Sequence, residues 1–579
     1  MWLDISSLLP ERVRKISNSM LIQPIQRPIR LTNQAGTGKT LSWIWPILIL
    51  AFAALIRLAF FRGALGSDEI DYMTQARHVL SGDLGRSTYI GDIRYGINTF
   101  QALSFRLFGN GLAGAAGLYF ACSLASILLA YFFAQHVWGR RSAIWAALAL
   151  AVLPIDVALA GSLNPDPYLG LFIASSITVF FFAQRRDSDV LYFLAGLLAG
   201  WVFWIKDEVI IFGALFLFLT TSWRSWRRGW LWFLFGGVLC CVSDLIFFFV
   251  GYGDPFYHYS VVRHTVEQQA TTGTLGETSA WTYLRLLLVN IYHTGLVGWF
   301  ALAGCVVALR QRPEPETRFV LIWAVGLLVI FSALPVSFSP LHLIRKQANY
   351  MEIFVMPLAL LAGFFLARQR QGLALALGGP MMVLGVVLSG LEQQVISAVA
   401  VNGPGAAAFA EAHAGTPVFG PLIAQRQSAV ERLLRGSLDS EVYIRPMADL
   451  NKISLVGGEA SDVVAYVVED PQMRNWQGTE NELRADRGYR LPPALSHCLI
   501  PRGQLDQKDP GLGRSVLAAL RGMFSLLPPP YASAAIKSTD PIWQIEPAQL
   551  FAVTRECAQQ FRDQARQRGS SETPAVLLR

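Results

Sequence analysis

The sequence predicts a polytopic α-helical membrane protein of about eleven transmembrane helices, followed by a C-terminal extracytoplasmic α/β domain. Three observations predict it. Of 579 residues, 53% are hydrophobic and only 15% charged, and the mean hydropathy is +0.40, too apolar for a chain folded around a single aqueous core. Apolar runs long enough to cross roughly 30 Å of hydrocarbon as helix recur up to Gly390. From about Val401 the composition reverts to that of a soluble domain.

In chain order, residues 1–42 read as a basic cytoplasmic tail. Within it NQAGTGKT (Asn33–Thr40) has the look of a phosphate-binding loop, but Asn33 stands where that loop needs its first glycine and no apolar strand precedes it. A basic segment beside the membrane is the plainer account. The first apolar run starts near Trp43, too far in for a cleaved signal peptide, so it is expected to stay as an anchor. Residues 43–400 read as the transmembrane domain, with an external loop at 62–111 that carries interfacial helices.

Lys and Arg recur at every second gap, in ERVRK, WGRR, QRRDSD, WRSWRRGW, RQRPEPETR and RQRQ. The positive-inside rule puts these gaps and the N-terminus in the cytoplasm. An odd number of spans then puts loop 62–111, the NPDP turn, Lys206, loops 251–285 and 335–352, and the domain 401–579 outside. The net charge of +8 follows this lipid topology, which argues against nucleic-acid partners.

In the C-terminal domain PVFGP, EVYI, DVVAYVVED and IWQIEP read as strands, AQRQSAVERLLRG and SVLAALRGMF as helices, and AQQFRDQARQRGSSETP as a fraying tail. The six cysteines show no metal-ligand spacing. Cys498 and Cys557 are expected as separate buried thiols, pairing being the alternative in an oxidising compartment.

Four stretches place ionisable groups where lipid meets water. In GALGSDEIDYM, Asp68 and Glu69 precede a helix whose stripe is Ile70, Met73, Ala76 and Val79. Asp68 is an N-cap or a catalytic acid on equal terms, while Asp71 is assigned to the helix dipole. Arg94 and Tyr95 follow in the same loop as candidate donor or acceptor contacts. Arg57, inside the first run, can pair with Asp68 or Glu69, or extend its head to the interface.

In SLNPDPYLG, Asp166 sits between two prolines at an outer turn, as a helix cap or as a second acid in the same cavity. In WIKDEVI, Lys206, Asp207 and Glu208 join two short apolar arms and should lie below the outer surface. Ionisable groups at that depth are costly unless they serve a polar site, and snorkelling of Lys206 is the alternative. In LHLIRKQANYMEIF, Arg345 and Lys346 lie outside against the charge trend, flanked by His342 and Tyr350, and suit a phosphate. His258 and His264, in DPFYHYSVVRH, are weaker candidate contacts beside what reads as an interfacial aromatic belt.

Taken together, Asp68 and Glu69 after the first span, proline-flanked Asp166 after the third, Lys206 in a short hairpin and Arg345 to Tyr350 before a late span resemble the GT-C superfamily of glycosyltransferases. That group includes protein O-mannosyltransferases and the aminoarabinose transferases that modify lipid A. The resemblance covers roughly Trp43 to Gly390. It implies transfer of one sugar, with inversion, from a polyprenyl-phosphate donor to a lipid, glycan or protein acceptor, on the periplasmic side of a bacterial inner membrane. It further implies Asp68 as base, Glu69 and Asp166 as supporting acids, and Lys206, Arg345, Lys346 and Tyr350 around the donor phosphate. It assigns no cofactor, and leaves open a divalent cation at Asp166. The alternative is a transporter or flippase of a lipid-linked sugar, which would predict polar or broken helices through the midplane and often internal repeats, whereas here the charges gather on one face and no repeat is seen.

Overall fold

The computed structural model describes residues 43–64, 68–84, 89–222, 228–272, 279–311, 313–338, 341–344, 346–436, 444–446, 449–450, 462–471, 497–508 and 511–569. The tail 1–42 with its Asn33–Thr40 stretch, Arg345, and the side chains of Glu208 and His342 lie outside the described residues.

Among the described residues, six helices are long and apolar enough to cross a membrane: Leu112–Trp138, Asp166–Arg186, Gly229–Tyr252, Pro315–Ala333, Asn349–Arg368 and Gln371–Val395. A seventh span is possible in geometry if Arg140–Ala151 and Pro154–Ala160, bent by 58°, count as one. The bend has a local cause, because Pro154 opens the second piece and Leu153 before it is held extended. The protein is thus a multi-pass membrane protein. Four shorter apolar helices, Ile44–Ala59, Asp189–Ile205, Val209–Leu219 and Val297–Arg310, would have to cross as well to reach the eleven expected.

Two expected spans are broken. After Lys206 the chain winds as a 3-10 helix, Asp207–Ala214, before one α-turn at Leu215–Leu219. The apolar run from Leu286 to Leu309, long enough in sequence for one span, divides into a π-turn Arg285–Val289, a turn Ile291–Thr294 and the helix Val297–Arg310. Elsewhere helices meet through small residues. Gly196 and Gly200, one helical turn apart on Asp189–Ile205, lie against Phe233 and Cys240 of Gly229–Tyr252, where a Cβ would collide with the facing chain. The opposite side of Gly229–Tyr252, with Leu231, Phe235, Val242 and Phe249, is exposed, as a lipid-facing side must be.

The loops that carry the candidate residues gather at one end of the helices. The amides of Arg62 and Gly63 both donate to the Gly161 carbonyl, at 2.7 and 3.1 Å, and Gly63 bridges to Ser162. Loop 62–111 is thereby tied to the NPDP turn. Gly96 lets the helix Tyr95–Phe108 touch the Trp204 backbone, two residues before Lys206. Strands β1 (Pro335–Phe338) and β2 (Leu341–Leu343) form an antiparallel hairpin that leads to Lys346.

Among the described residues the C-terminal segment holds a five-stranded sheet of order β4-β3-β5-β7-β6, made of β3 (Val418–Gly420), β4 (Ile444–Pro446), β5 (Val463–Glu469), β6 (Ile500–Gln504) and β7 (Gln549–Thr554). β3 runs parallel to β4 and β5, and β7 antiparallel to β5 and β6. IWQIEP is not a strand. Its start closes the helix Asp540–Trp543, and the strand forms after it. The tail expected to fray is helical through Gly569.

Residues Pro46–Arg579 form one compact unit. The helix Leu422–Leu434 docks on loop 62–111: Ala429, Val430 and Leu433 pack with Ile70, Met73 and Phe105. Gln427 donates to the Ala64 carbonyl at 3.2 Å, and Arg77 to the Leu433 carbonyl at 3.0 Å.

Cys498 and Cys557 are not separate thiols. They form a disulfide with Cα atoms 5.3 Å apart, closing a loop of sequence separation 59 around the sheet's apolar core. A loop of that length removes about 4 kcal/mol of chain entropy from the unfolded state. Reduction with dithiothreitol in detergent is expected to lower the melting temperature of the wild type and to leave a Cys498→Ser/Cys557→Ser variant unmoved. Equal melting curves with and without reductant would show that the bridge does not stabilise the fold.

Candidate active site

Asp166, Lys206 and Tyr350, far apart in sequence, meet in a buried knot. Asp166 begins the helix Asp166–Arg186, its amide taken by Asn164 Oδ1 at 2.9 Å. Its side chain therefore does not cap. Oδ2 accepts from Asn349 Nδ2 at 2.8 Å, and Oδ1 lies 3.5 Å from Lys206 Nζ. That nitrogen sits 3.8 Å from the centre of the Tyr350 ring, in a cation–π contact. Asp166 and Lys206 are 2% and 9% exposed, so Lys206 does not snorkel to the surface. Its position follows from the helix ending at Ile205: Lys206 is extended, with φ −158° and ψ 98°, which turns the side chain back into the bundle.

Next to this knot Arg94 donates to the Tyr72 hydroxyl at 3.2 Å and lies 3.7 Å from Asp207 Oδ1. Burial pushes the Tyr72 phenol up to about 12, with Asp68 adding to the rise and Arg94 and Lys206 opposing it. Tyr72 thus stands within electrostatic reach of both the acid above and the amine below, and it keeps its proton at neutral pH.

The upper rim is acidic. Asp68 does not cap the helix Glu69–Ser81. Its backbone is already helical, at φ −62° and ψ −15°, and the side chain of a residue in that conformation does not reach the amides of the next turn. Its carboxylate instead accepts from the Tyr89 hydroxyl at 3.2 Å and is open to solvent. Glu69 behind it is buried.

Asp71 is more than a helix-dipole charge. Burial first, then Asp92 and Asp68, raise its pKa from 3.8 to about 7, with Arg426 of the helix Leu422–Leu434 pulling it down. An acid whose folded pKa is raised loses stability as pH climbs from its ordinary value to the folded one. Asp71→Asn is therefore expected to match the wild type near pH 4, to be more stable above pH 7, and to flatten the fall between. Melting temperatures taken from pH 4 to 8 check this, and parallel curves for the two proteins would contradict it.

A second layer lies below. Arg57 pairs with neither Asp68 nor Glu69. It is bonded to Asp156, donates to Ser123 Oγ at 2.6 Å and to the Ala151 carbonyl at 3.1 Å, and is fully buried. Glu352, also buried, lies against Asp156 and within reach of Asp166, and Gly170 makes room for it.

The remaining candidates are dispersed. Lys346 is buried and donates to the Ile344 carbonyl at 3.2 Å. The Tyr95 hydroxyl is engaged by Tyr252 and Gln75. His258 pairs with Asp244 at 3.1 Å among Phe203 and Phe248, and His264 is exposed on the same helix. Among the described residues, no three His, Cys, Asp or Glu side chains converge to hold a metal ion. Tyr72, Tyr89, Asn349 and Glu352 join the site without having been singled out in the sequence.

At this end of the protein two buried cations, Lys206 and Arg94, thus lie near an open carboxylate, Asp68. A structural comparison finds the same helix arrangement in ArnT from Cupriavidus metallidurans in the apo state. Its TM-score is 0.53 at 17% identity, covering 74% of this chain and 93% of that one. The fold is that of ArnT.

The ArnT structure bound to undecaprenyl phosphate matches with a TM-score of 0.52, again at 17% identity and over 74% and 93% of the two chains. The family model described as dolichyl-phosphate-mannose-protein mannosyltransferase matches residues 96–247. Two relatives are named undecaprenyl phosphate-alpha-4-amino-4-deoxy-L-arabinose arabinosyl transferases. One, from Pseudomonas paraeruginosa, is 25% identical over 60% of this chain and 64% of its own length. The other, from Pseudomonas fluorescens, is 26% identical over 56% and 60%. The chain thus spans somewhat less than two thirds of the relatives it matches. It resembles the GT-C superfamily of glycosyltransferases, and within it the ArnT-like enzymes.

Proposed function

We propose that this protein is an inverting glycosyltransferase that moves one sugar from a polyprenyl-phosphate donor to a lipid, glycan or protein acceptor, on the periplasmic face of a bacterial inner membrane. The observation that carries the reading is the buried Asp166–Lys206–Tyr350 knot beneath an open carboxylate, Asp68. A buried lysine there lacks a structural need that an apolar side chain would not meet better. It does suit an anion that arrives through the lipid.

In the proposed reaction the acceptor hydroxyl attacks the anomeric carbon from the side opposite the lipid phosphate. Asp68 takes the hydroxyl proton, held by Tyr89, with Glu69 behind it. The anomeric carbon–oxygen bond to phosphate breaks and its electron pair leaves on the phosphate, met by Lys206 and Arg94. Asp166 orients Lys206, and Tyr350 covers it. An acceptor that is already an anion would need Asp68 only to orient it. The topology that fits has the N-terminus in the cytoplasm, the four shorter apolar helices crossing with the longer ones, and the C-terminal segment from about Val401 as a periplasmic α/β domain.

The test uses purified protein in proteoliposomes with a radiolabelled polyprenyl-phosphate sugar. Chromatographic transfer of label from the lipid to a second molecule is the expected result. Intact donor that merely changes leaflet, scored by protection from an impermeant reagent, would identify a flippase instead.

A further inference from the structure

Between Arg521 and Lys537 the C-terminal segment has no charged residue and reads GMFSLLPPPYASAAI. In the structure this run is the tip of a helical hairpin formed by Leu512–Phe524 and Pro529–Ser538 and closed by Asp540–Trp543. Leu526 is 85% exposed, Tyr531 68% and Met523 54%, among the most exposed large apolar side chains of the protein.

Two of the hairpin's cations, Arg514 and Arg521, are held against its own residues, while Lys537, past the tip, is exposed. Arg521 donates to Asp540 at 2.8 Å, to Thr539 at 2.6 Å and to the Ile536 carbonyl at 3.1 Å. Arg514 stacks 4.0 Å from the centre of the Trp543 ring. In a hairpin washed by water the cations would point out and the leucines in. The tip is arranged the other way round, with its apolar side chains out and no charge among them, as a segment bathed in hydrocarbon requires.

The place of the hairpin fits. The first arm and the closing helix dock on the candidate span Gln371–Val395 near its end: the Gly513 amide donates to Gln393 at 3.0 Å, and Gln394 to the Ile542 carbonyl at 3.0 Å. Val516 packs against Gly390 and Phe60, where the first apolar helix ends. The exposed side of that same span, with Leu373, Leu375 and Val383, continues the apolar surface away from the hairpin.

We propose that the hairpin Leu512–Trp543 is a membrane-docking element. Its uncharged tip lies in the leaflet nearest the site, against phospholipid acyl chains, and pins the C-terminal segment to the bilayer. The inference needs only the membrane reading and is independent of which group the protein transfers.

The test places photoreactive benzoylphenylalanine at Leu526, at Tyr531, where it is close in size to the native ring, and at Arg502, exposed on β6. The full-length protein is reconstituted in vesicles of phosphatidylethanolamine and phosphatidylglycerol and irradiated. Lipid-mass adducts at positions 526 and 531, at least tenfold above position 502, are expected. Adducts no more frequent than at 502, or a covalent dimer of the chain in their place, would overturn the proposal.

Discussion

Asp68→Asn is expected to lower sugar transfer by about 10²–10⁴-fold, the usual worth of a positioned general base, while donor binding stays close to wild type. Asn keeps the shape of the side chain and its hydrogen bond to Tyr89, and loses only the ability to take a proton. Because Asp68 is open to solvent, the substitution should leave the melting temperature almost unmoved. Initial rates and donor affinity, measured side by side, check the prediction. An Asp68→Asn protein with wild-type turnover on a neutral hydroxyl acceptor would remove Asp68 from the role of base.

Lys206→Met should abolish transfer and also weaken the fold. It takes the only cation from within 4 Å of Asp166 that the described residues provide, leaving a buried carboxylate supported by Asn349 alone. Breaking one side of such a pair costs roughly 3–5 kcal/mol, whereas replacing both sides is often neutral. The double variant Asp166→Asn/Lys206→Met is therefore expected to regain most of the lost stability and none of the activity. Melting temperatures and transfer rates separate the two effects. Recovery of activity along with stability would make the knot a structural feature and nothing more.

Much of this site was legible because each of its pieces has a local signature. Asp68 follows an apolar run, Asp166 stands between prolines, and Lys206 sits where two apolar arms are too short to hide it. What was not legible is pairing across the fold. Lys206 meets Asp166 across 40 positions of chain, and Arg57 meets Asp156 across 99; nothing in either neighbourhood specifies the partner. The expected cap at Asp68 failed for a backbone reason, since φ and ψ already helical at that residue turn its side chain away from the amides that a cap would satisfy.

The burial of Asp71 was hidden for a related reason. The helix Leu422–Leu434 arrives from more than 300 residues downstream, packing Ala429, Val430 and Leu433 against the neighbouring Ile70 and Met73 and bringing Arg426 within electrostatic reach of Asp71, and hydropathy along loop 62–111 carries no trace of that contact. The disulfide belongs with these cases, because the approach of Cys498 to Cys557 is set by the sheet that lies between them. Spans fared differently. Apolar length marks where a helix can cross, but the 3-10 winding after Lys206 and the breaks within 285–310 depend on how neighbours pack, and the hydrophobic count is the same for broken and continuous helices.

The account turns on whether the lipid phosphate is a leaving group. The direct measurement is the amount of polyprenyl phosphate released per sugar transferred, followed by mass spectrometry in proteoliposomes supplied with a polyprenyl-phosphate sugar. One lipid phosphate freed for each sugar moved, with both products absent for Lys206→Met, is the predicted result. Donor that stays intact in the presence of the wild type, while the lipid crosses the bilayer unchanged, would contradict it.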